Sequence, residues 1–175
     1  MSISFTKVYS KIIPDVCKIT PTFFKEERGV IWTSFNYDKM RTILPENVNF
    51  NHDKFSKSKF NVLRGIHGDH KSWKLVSCIY GNIQQVVVDM RENSNSFLKN
   101  ISYDLNDINK SMILIPPGMG NAFYVKSEFA IYHYKLAYEG EYVDADGQFS
   151  LAWNDPRLNI KWSTNNPILS ERDKS

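Results

Sequence analysis

Two histidines in the segment VLRGIHGDH, residues 62–70, are candidates for a catalytic or metal-binding role. An imidazole can bind a divalent metal, and it can also act as a general base because it titrates near neutral pH. His67 and His70 are three residues apart. On a strand this spacing points two side chains to opposite faces. The pair therefore does not form a metal site by itself, and we predict that His70 is an exposed loop residue.

A metal site in a small β-barrel would need further ligands. The barrels called cupins commonly hold a metal with His-x-His, a following glutamate and a later histidine after a Pro-x-Gly turn, since a divalent ion needs three or more converging ligands. In this chain the turn PPGMGNAF carries Asn121 where the later histidine would fall. We predict no metal site. His67 alone is either a general base or a structural histidine.

The bulk composition excludes several classes of protein. A length of 175 residues fits one domain, residues 1–175. The net charge of +3 is small and the basic residues are spread along the chain, so nucleic acid is not predicted as a partner. Two cysteines are too few for a disulfide framework. We find no signal peptide and no long apolar span, and predict a cytoplasmic protein without a membrane partner.

Strand patterns dominate the elements that must position these residues. KLVSCIYGNIQQVVVDMR predicts two strands around a Gly-Asn turn, and SMILIPPGMGNAFYV predicts strands on both sides of a Pro-Pro-Gly turn. FAIYHYKLAY alternates, which places Tyr132 and Tyr134 on one face. A short helix is predicted in residues 38–46, ended by Pro45. Many short strands separated by turns indicate an all-β, jelly-roll barrel or sandwich.

Six segments, in this order along the chain, resemble the sugar-nucleotide 3,5-epimerases, the family of dTDP-4-dehydrorhamnose 3,5-epimerase. They are VLRGIHGD, WKLVSCIYGNIQQVVVDMR, ILIPPGMGNAFYV, YKLAYEGEY, AWNDPRLNIKW and ILSERD. The segment FFKEERGVIW also resembles the Asp-x-Arg-Gly segment of that family. The resemblance runs from about residue 20 to residue 173. It implies a cupin-type jelly-roll barrel and a reaction that needs neither metal nor redox cofactor.

A narrower resemblance concerns the branch that acts on GDP-4-keto-heptoses in bacterial capsule synthesis. It is carried by FNVLRGIHGD, PPGMGN and YKLAYEGEY. This resemblance implies an epimerase that inverts C3, or C3 and C5, of a GDP-linked 4-keto-heptose or 6-deoxy-4-keto-heptose. The sequence does not distinguish inversion of C3 alone from inversion of both carbons.

The resemblance also implies roles for four catalytic residues. His67 is the base that removes the proton next to the ketone, and Asp173 orients it and stabilises the imidazolium. Lys74 lies near the ketone oxygen, where a cation stabilises the charge that develops in the transition state. Tyr134 is the acid on the opposite face of the sugar, since its high ordinary pKa keeps its proton in place.

The same resemblance implies a set of binding residues. Arg28 and Arg64 match positions that contact the nucleotide diphosphate, and the planar fork of arginine suits two phosphate oxygens. His52 and Lys54 stand where the dTDP branch has glutamine and asparagine, which argues against thymidine as the base. Asn121 stands at the second cupin histidine and is predicted either to contact the sugar or to bond within the barrel.

Each assignment has a structural alternative. Lys74 could be a solvated strand residue and Tyr134 a barrel-lining ring. Asp173 could be an acid of a frayed tail, and it serves His67 only if the C-terminal segment packs back under the barrel. The arginines could be surface ion-pair partners.

Three other functions stay open beside the heptose epimerase. One is a dTDP-4-keto-6-deoxyhexose 3,5-epimerase. Another is a 3,4-ketoisomerase, which shuttles protons on one side of the sugar and has less need of a tyrosine acid on the opposite face. A non-catalytic cupin that binds a sugar nucleotide would keep the arginines without needing the four catalytic residues together. The family resemblance further implies a homodimer with exchanged N-terminal strands, in which the EERGVIW segment reaches the site of the partner.

Overall fold

The computed structural model describes residues 2–174, which form strands joined by short turns. Strands hold 46% of the residues and helices 6%, which confirms the all-β, jelly-roll prediction. The strands are β1 Phe5–Tyr9, β2 Cys17–Pro21, β3 Phe23–Glu26, β4 Gly29–Trp32, β5 His52–Lys59, β6 Leu63–Gly68, β7 Trp73–Tyr80, β8 Asn82–Asp89, β9 Asn100–Asn106, β10 Met112–Ile115, β11 Met119–Val125, β12 Phe129–Ala137 and β13 Phe149–Ser150.

Two antiparallel sheets form the barrel. One has six strands in the order β1-β2-β10-β7-β12-β5, and the other has five in the order β13-β6-β11-β8-β9. The buried core between them draws side chains from both sheets, among them Val76 and Tyr132 from the first and Val87 and Phe123 from the second. Strands β3 and β4 form a separate two-stranded ribbon. Alternation along each strand therefore fixes which side chains face the barrel interior.

The strands predicted on either side of the Gly-Asn turn and of the Pro-Pro-Gly turn are confirmed, and at each turn the chain crosses from one sheet to the other. The two strands around the Gly-Asn turn are β7 and β8, and those around the Pro-Pro-Gly turn are β10 and β11. Tyr132 and Tyr134 share the inner face of β12, with ring centroids 4.5 Å apart. His70 is exposed in the turn after β6, as predicted. Both cysteines are buried.

The predicted helix over residues 38–46 is too long. The helix α1 covers only Tyr37–Met40, with Asn36 as the N-cap that accepts a hydrogen bond from the backbone N–H of Lys39. Residues 41–44 form turns instead. The β-branched residues Thr42 and Ile43 lower helix propensity here, and only isolated turn bonds to the Met40 carbonyl continue as far as Leu44, the residue before Pro45.

A bulge in β6 decides the direction in which the site residues point. Opposite Phe123 and Asn121 of β11 lie Arg64 and His67, so two residues of β6 intervene where β11 has one. Gly65 lies in this bulge with a φ of +117°, and a Cβ there would lie 2.5 Å from the Asn121 carbonyl oxygen. In a regular strand Arg64 and His67, three residues apart, would face opposite sides; the bulge puts them on the same side.

Within residues 2–174 no helix combines the length and the apolar character that crossing a membrane requires.

Candidate active site

A cavity of about 330 Å³ opens between the two sheets, and most of the predicted site residues line it. Seven of the nine do so: His67, Tyr134, Asp173, Lys74, Arg64, Lys54 and Asn121. They come from β5, β6, β7, β11, β12 and the C-terminal 3₁₀ turn Glu171–Lys174. The fold therefore gathers at one place residues that are far apart in the chain.

His67 and Asp173 form a close pair at one wall of the cavity. His67 Nε2 lies 2.8 Å from Asp173 Oδ1, and the two side chains are 21% and 4% exposed. The contact is short, but its geometry is not that of a straight hydrogen bond. A carboxylate at this distance stabilises the imidazolium that would form when His67 takes a proton.

Neutral donors hold the Asp173 carboxylate in place. The backbone N–H of Gly65 donates to Oδ1 at 3.1 Å, and the Ser170 hydroxyl donates to Oδ2 at 2.6 Å. Burial alone would raise the pKa of Asp173, but His67, Ser170 and Gly65 together lower it below its ordinary value. Asp173 is therefore a carboxylate at neutral pH.

The C-terminal segment reaches this wall because its backbone joins the barrel. Ile168 forms a parallel bridge with Val62. The N–H of Leu63 donates to the Ile168 carbonyl at 3.0 Å, and the N–H of Ile168 donates to the Asn61 carbonyl at 2.7 Å. These contacts place Asp173 under β6, so the alternative of a frayed tail does not apply.

Lys74 is buried and paired. Its Nζ lies 3.3 Å from Asp69 Oδ2, and the side chains are 8% and 3% exposed. Asp69 Oδ1 accepts from the backbone N–H groups of Lys71 at 2.9 Å and Ser72 at 2.6 Å, which fixes the carboxylate. Burial lowers the pKa of Lys74, while Asp69 acts in the opposite direction. The alternative of a solvated strand residue is excluded.

Tyr134 lies on β12, on the sheet opposite to the one that carries His67. Burial raises the pKa of Tyr134 to about 12, although Arg64 and Ser56 act to lower it. The phenol therefore keeps its proton over the neutral range. Tyr132, on the same face, is fully buried and donates to Gln85 Oε1 at 2.6 Å. Of the two tyrosines, Tyr134 is the one that lines the cavity.

The polar residues at the cavity mouth are tied to neighbours. Arg64 Nε donates to Ser58 Oγ at 2.9 Å. Lys54 Nζ lies 3.4 Å from the Tyr142 hydroxyl and 5.3 Å from the centroid of that ring.

Two predicted binding residues do not line the cavity. His52 contacts Tyr138 instead, with 3.0 Å between Nδ1 and the phenol oxygen, and its ring lies 5.0 Å from that of Tyr142. Arg28 lies in the turn between β3 and β4, where its side chain is 85% exposed and pairs with Glu26. Within one chain Arg28 is therefore remote from the cluster, because its ribbon is not part of either barrel sheet.

Sequence reasoning missed several residues of the site. Tyr142, Arg172 and Ser170 also line the cavity, and Gln85 bonds to Asn121 beneath it. Tyr142 lies in the segment YKLAYEGEY and Arg172 in ILSERD, so the segments that carry the family resemblance were the signal that could have identified both residues. Gln85 carried no such signal, because one glutamine in an apolar strand has no spacing that marks it.

The arrangement suits proton transfer on both faces of a bound molecule. A histidine–carboxylate pair stands on one sheet and a protonated phenol on the other, with a buried ammonium group in the same cavity. No group of three or more His, Cys, Asp or Glu residues that could hold a metal ion occurs within residues 2–174.

Comparison with known proteins gives the family. The model of the dTDP-4-dehydrorhamnose 3,5-epimerase family matches residues 10–175. The chain belongs to this family.

The similarity to individual relatives covers nearly the whole length of this chain and most of each relative. The dTDP-4-dehydrorhamnose 3,5-epimerase of Escherichia coli is 37% identical over 166 residues, covering 93% of this chain and 88% of the relative. The enzyme of that name from Salmonella typhimurium is 35% identical over 170 residues, covering 95% and 91%. The crystal structure of dTDP-6-deoxy-D-glucose-3,5-epimerase from Legionella pneumophila, in complex with dTDP-4-keto-L-rhamnose, has a TM-score of 0.89 at 31% identity and covers 97% and 89%.

The family membership confirms the prediction of a sugar-nucleotide epimerase with a cupin-type barrel. It does not support the narrower prediction of a GDP-heptose enzyme, because these relatives are named for dTDP-linked sugars. The substrate assignment therefore moves toward the alternative, a dTDP-linked 4-keto sugar.

Proposed function

We propose that this chain, acting as a single domain, inverts C3 and C5 of a dTDP-linked 4-keto-6-deoxyhexose. One observation carries the proposal: His67 with its buried partner Asp173 lines the same cavity as Tyr134, and the two face it from different sheets. Removal of a proton from one face of a sugar and its return to the other face requires a base and an acid on opposite sides. The named activity of the relatives supports the same reaction.

The reaction begins with His67 removing the proton on a carbon next to the ketone. The electron pair moves to the C4 oxygen, which gives an enolate, and Asp173 stabilises the imidazolium that forms. Tyr134 then delivers its proton to the other face of the same carbon. The enolate collapses back to the ketone with inverted configuration.

Lys74 is the group proposed to stabilise the enolate. A buried ammonium favours the charge that develops on the C4 oxygen more than it favours the neutral ketone. Burial lowers the pKa of Lys74, and the adjacent Asp69 carboxylate opposes this lowering. The contact thus supports a cation in a position where burial alone would favour a neutral amine.

Deuterium exchange tests the proposal. The enzyme would be incubated with dTDP-4-keto-6-deoxyglucose in deuterated water, and the product analysed by mass spectrometry and NMR. We expect two deuterons, at C3 and C5, and inversion at both carbons. Incorporation at C3 alone would restrict the enzyme to a single inversion. Binding without any incorporation would favour the non-catalytic sugar-nucleotide module.

The same experiment distinguishes a 3,5-epimerase from a 3,4-ketoisomerase. A 3,4-ketoisomerase moves the carbonyl from C4 to C3, and the product would show the ketone carbon at a new position in the NMR spectrum. The presence of Tyr134 on the sheet opposite His67 favours inversion, because carbonyl transfer needs proton shuttling on only one side of the sugar.

A GDP-linked 4-keto-heptose, as used in capsular polysaccharide synthesis, is the second candidate substrate. It is favoured by His52 and Lys54, which stand where the dTDP branch has glutamine and asparagine. Both residues contact Tyr142, which lines the cavity. Parallel reactions with the GDP-linked heptose and the dTDP-linked hexose would decide between them through kcat/KM. A larger value for the heptose would establish the narrower assignment.

A homodimer with exchanged N-terminal strands is proposed for the active form, in the cytoplasm. The β3–β4 ribbon exposes large apolar side chains, with Phe24 at 51% and Ile31 at 57% exposed, and carries Arg28 near its tip. An exposed apolar ribbon of this kind favours contact with a second protein surface. Light scattering should give twice the chain mass. Mixing inactive Arg28→Ala with inactive His67→Ala should restore part of the activity if Arg28 acts in the site of the partner.

A further inference from the structure

Asn121 lies next to the proposed base at the floor of the cavity. It is paired with His67 between β11 and β6, and it lines the cavity although it is only 8% exposed. A carboxamide has one end that accepts hydrogen bonds and one that donates them. What Asn121 can bind therefore depends on which end faces the cavity.

A chain of hydrogen bonds decides this polarity, and it begins at a backbone carbonyl. Gln85 Nε2 donates to the Val86 carbonyl at 3.1 Å. A carbonyl oxygen cannot donate, so the Gln85 atom beside it must be the nitrogen. Gln85 Oε1 accepts from the Tyr132 hydroxyl at 2.6 Å, in agreement with the same orientation. Gln85 and Tyr132 are both 0% exposed, so solvent offers no competing partner.

The orientation passes from Gln85 to Asn121. Gln85 Nε2 donates to Asn121 Oδ1 at 2.7 Å, and the Tyr132 hydroxyl lies 3.3 Å from the same oxygen. The accepting end of Asn121 is thus occupied. Within the described part of the chain no acceptor pairs with Asn121 Nδ2, so this donor end of the amide is the end left for a molecule in the cavity.

The chain is neutral throughout and therefore holds one polarity. Burial raises the pKa of Tyr132 well above its ordinary value, so this hydroxyl stays a donor. The amides of Gln85 and Asn121 do not titrate. A histidine at position 121 could offer either a donor or an acceptor depending on its tautomer, whereas this amide offers donors alone.

We propose that Gln85 is a positioning residue that makes Asn121 a donor-only group toward the substrate, so that Asn121 binds a sugar oxygen beside the carbon that His67 deprotonates. This inference rests on the proposed function. Two oxygens of a 4-keto sugar fit this chemistry: the C4 oxygen, which becomes an enolate, and the C2 hydroxyl. If the C4 oxygen is bound, loss of the donor lowers kcat; if the C2 hydroxyl is bound, it raises KM.

Gln85→Glu tests the positioning role. A carboxylate cannot donate to the Asn121 oxygen, so the Asn121 amide turns and presents its oxygen to the cavity. We expect kcat/KM to fall roughly tenfold to a hundredfold. Asn121→Asp removes the donors directly, with the same shape, and should give a comparable loss. Affinity for dTDP alone, measured by calorimetry, should be unchanged in both variants, whereas a general disturbance of the cavity would lower it.

Gln84→Glu is the matched control. Gln84 precedes Gln85 on β8, is also buried, and is equally satisfied, donating to the Lys161 carbonyl at 2.8 Å and accepting from the backbone N–H of Ser163 at 2.8 Å. Its side chain points away from the cavity because neighbours on a strand alternate. This variant should lose stability as Gln85→Glu does, and keep the kcat/KM of the wild type.

The proposal is overturned if folded Gln85→Glu and Asn121→Asp both retain wild-type kcat/KM, or if Gln84→Glu loses as much as they do. Failure of Gln85→Glu to fold would leave the decision to Asn121→Asp, whose side chain reaches the cavity. A wild-type enzyme that exchanges no deuterium refutes the proposed function instead. In that case binding still tests the amide. The affinity for dTDP-glucose relative to dTDP would be measured in wild type and in Asn121→Asp, and a smaller ratio in the variant would show that the amide binds a sugar oxygen.

Discussion

The protein contains two histidine–aspartate contacts of similar length, one in the cavity and one on the outer face of the six-stranded sheet. His67 Nε2 lies 2.8 Å from Asp173 Oδ1, and His133 Nε2 lies 2.6 Å from Asp53 Oδ1. The Asp173 side chain is 4% exposed and that of Asp53 is 48% exposed. The same pair of residue types thus occupies two different solvent environments.

The neighbours of the two carboxylates differ as well. Asp53 also pairs with Lys135 at 2.7 Å, and the His133 ring is stacked on Phe55 with 4.5 Å between centroids. Lys135 already balances the charge of Asp53. The other groups that donate to Asp173, the Gly65 backbone N–H and the Ser170 hydroxyl, are neutral, so the charge of Asp173 is available to His67.

A short distance between histidine and aspartate therefore does not by itself make a catalytic pair. A catalytic pair also needs a cavity for the substrate and a carboxylate that no other cation shares.

Replacement of the two histidines should separate the regions most strongly. His67→Ala removes the base and should lower kcat for deuterium exchange on the order of 10²–10⁴-fold. His133→Ala should leave the exchange rate unchanged, because its ring faces away from the cavity. Exchange rates would be followed by mass spectrometry in deuterated water. Equal losses in the two variants would contradict the assignment of the base.

Removal of a phenol hydroxyl should separate exchange from inversion. Tyr134→Phe lacks the acid, so inversion should fall roughly 10²-fold or more while His67 still exchanges the proton. The control is Tyr124→Phe, since this buried tyrosine donates to Asn61 at 3.2 Å outside the cavity. NMR of the product gives the configuration and the label together. Normal inversion by Tyr134→Phe would assign the acid to another group.

Neutralisation of the two aspartates should have a smaller but still separate effect. Asp173→Asn cannot stabilise the imidazolium of His67, and kcat should fall at least about tenfold. Asp53→Asn should keep the full kcat, because the pair that it breaks lies on the outer face. Steady-state kinetics at neutral pH measure both. An active Asp173→Asn enzyme would show that His67 works without a carboxylate partner.

The smallest expected difference concerns stability and pH. The pKa of Asp173 is lowered in the folded state, so its carboxylate stabilises the fold fully above its unfolded pKa of about 4, and this contribution is lost as the pH falls through the lower, folded-state value. The stability difference between wild type and Asp173→Asn should therefore be constant near neutral pH and shrink below about pH 4.

Denaturant titrations at several pH values measure this change. Asp53→Asn should alter the free energy of unfolding by less than about 1 kcal/mol, because half of that side chain is exposed to solvent. A larger effect for Asp53 than for Asp173 would reverse the comparison.

Strands could be predicted from the sequence where alternation and nearby turn residues define them. The strands on either side of the two turns, β7 and β8, then β10 and β11, follow from local alternation and from turn residues a few positions away. Local pattern does not show that the two strands at each turn belong to different sheets. The short helix failed in its extent because Thr42 and Ile43 favour turns once Met40 is buried in the core.

Which residues line the cavity depends on long-range contacts that the spacing of residues in the sequence does not reveal. His67 and Asp173 meet because the tail bonds to β6, and only the family resemblance brought them together beforehand. Strand alternation alone would put Arg64 and His67 on opposite faces, and the bulge at Gly65 reverses this. Arg28 lies outside the cavity of its own chain because the β3–β4 ribbon is not part of either barrel sheet.

The charges around the cavity have a consequence for how fast substrate arrives. Four basic residues line it, Lys54, Arg64, Lys74 and Arg172, against two acidic ones, Asp144 and Asp173. A dianionic diphosphate should be steered into such a mouth, so the association rate should fall as ionic strength rises. Lys74 is shielded from bulk ions by burial, and the chemical step should be nearly insensitive to salt. Salt would thus separate capture of the substrate from its conversion.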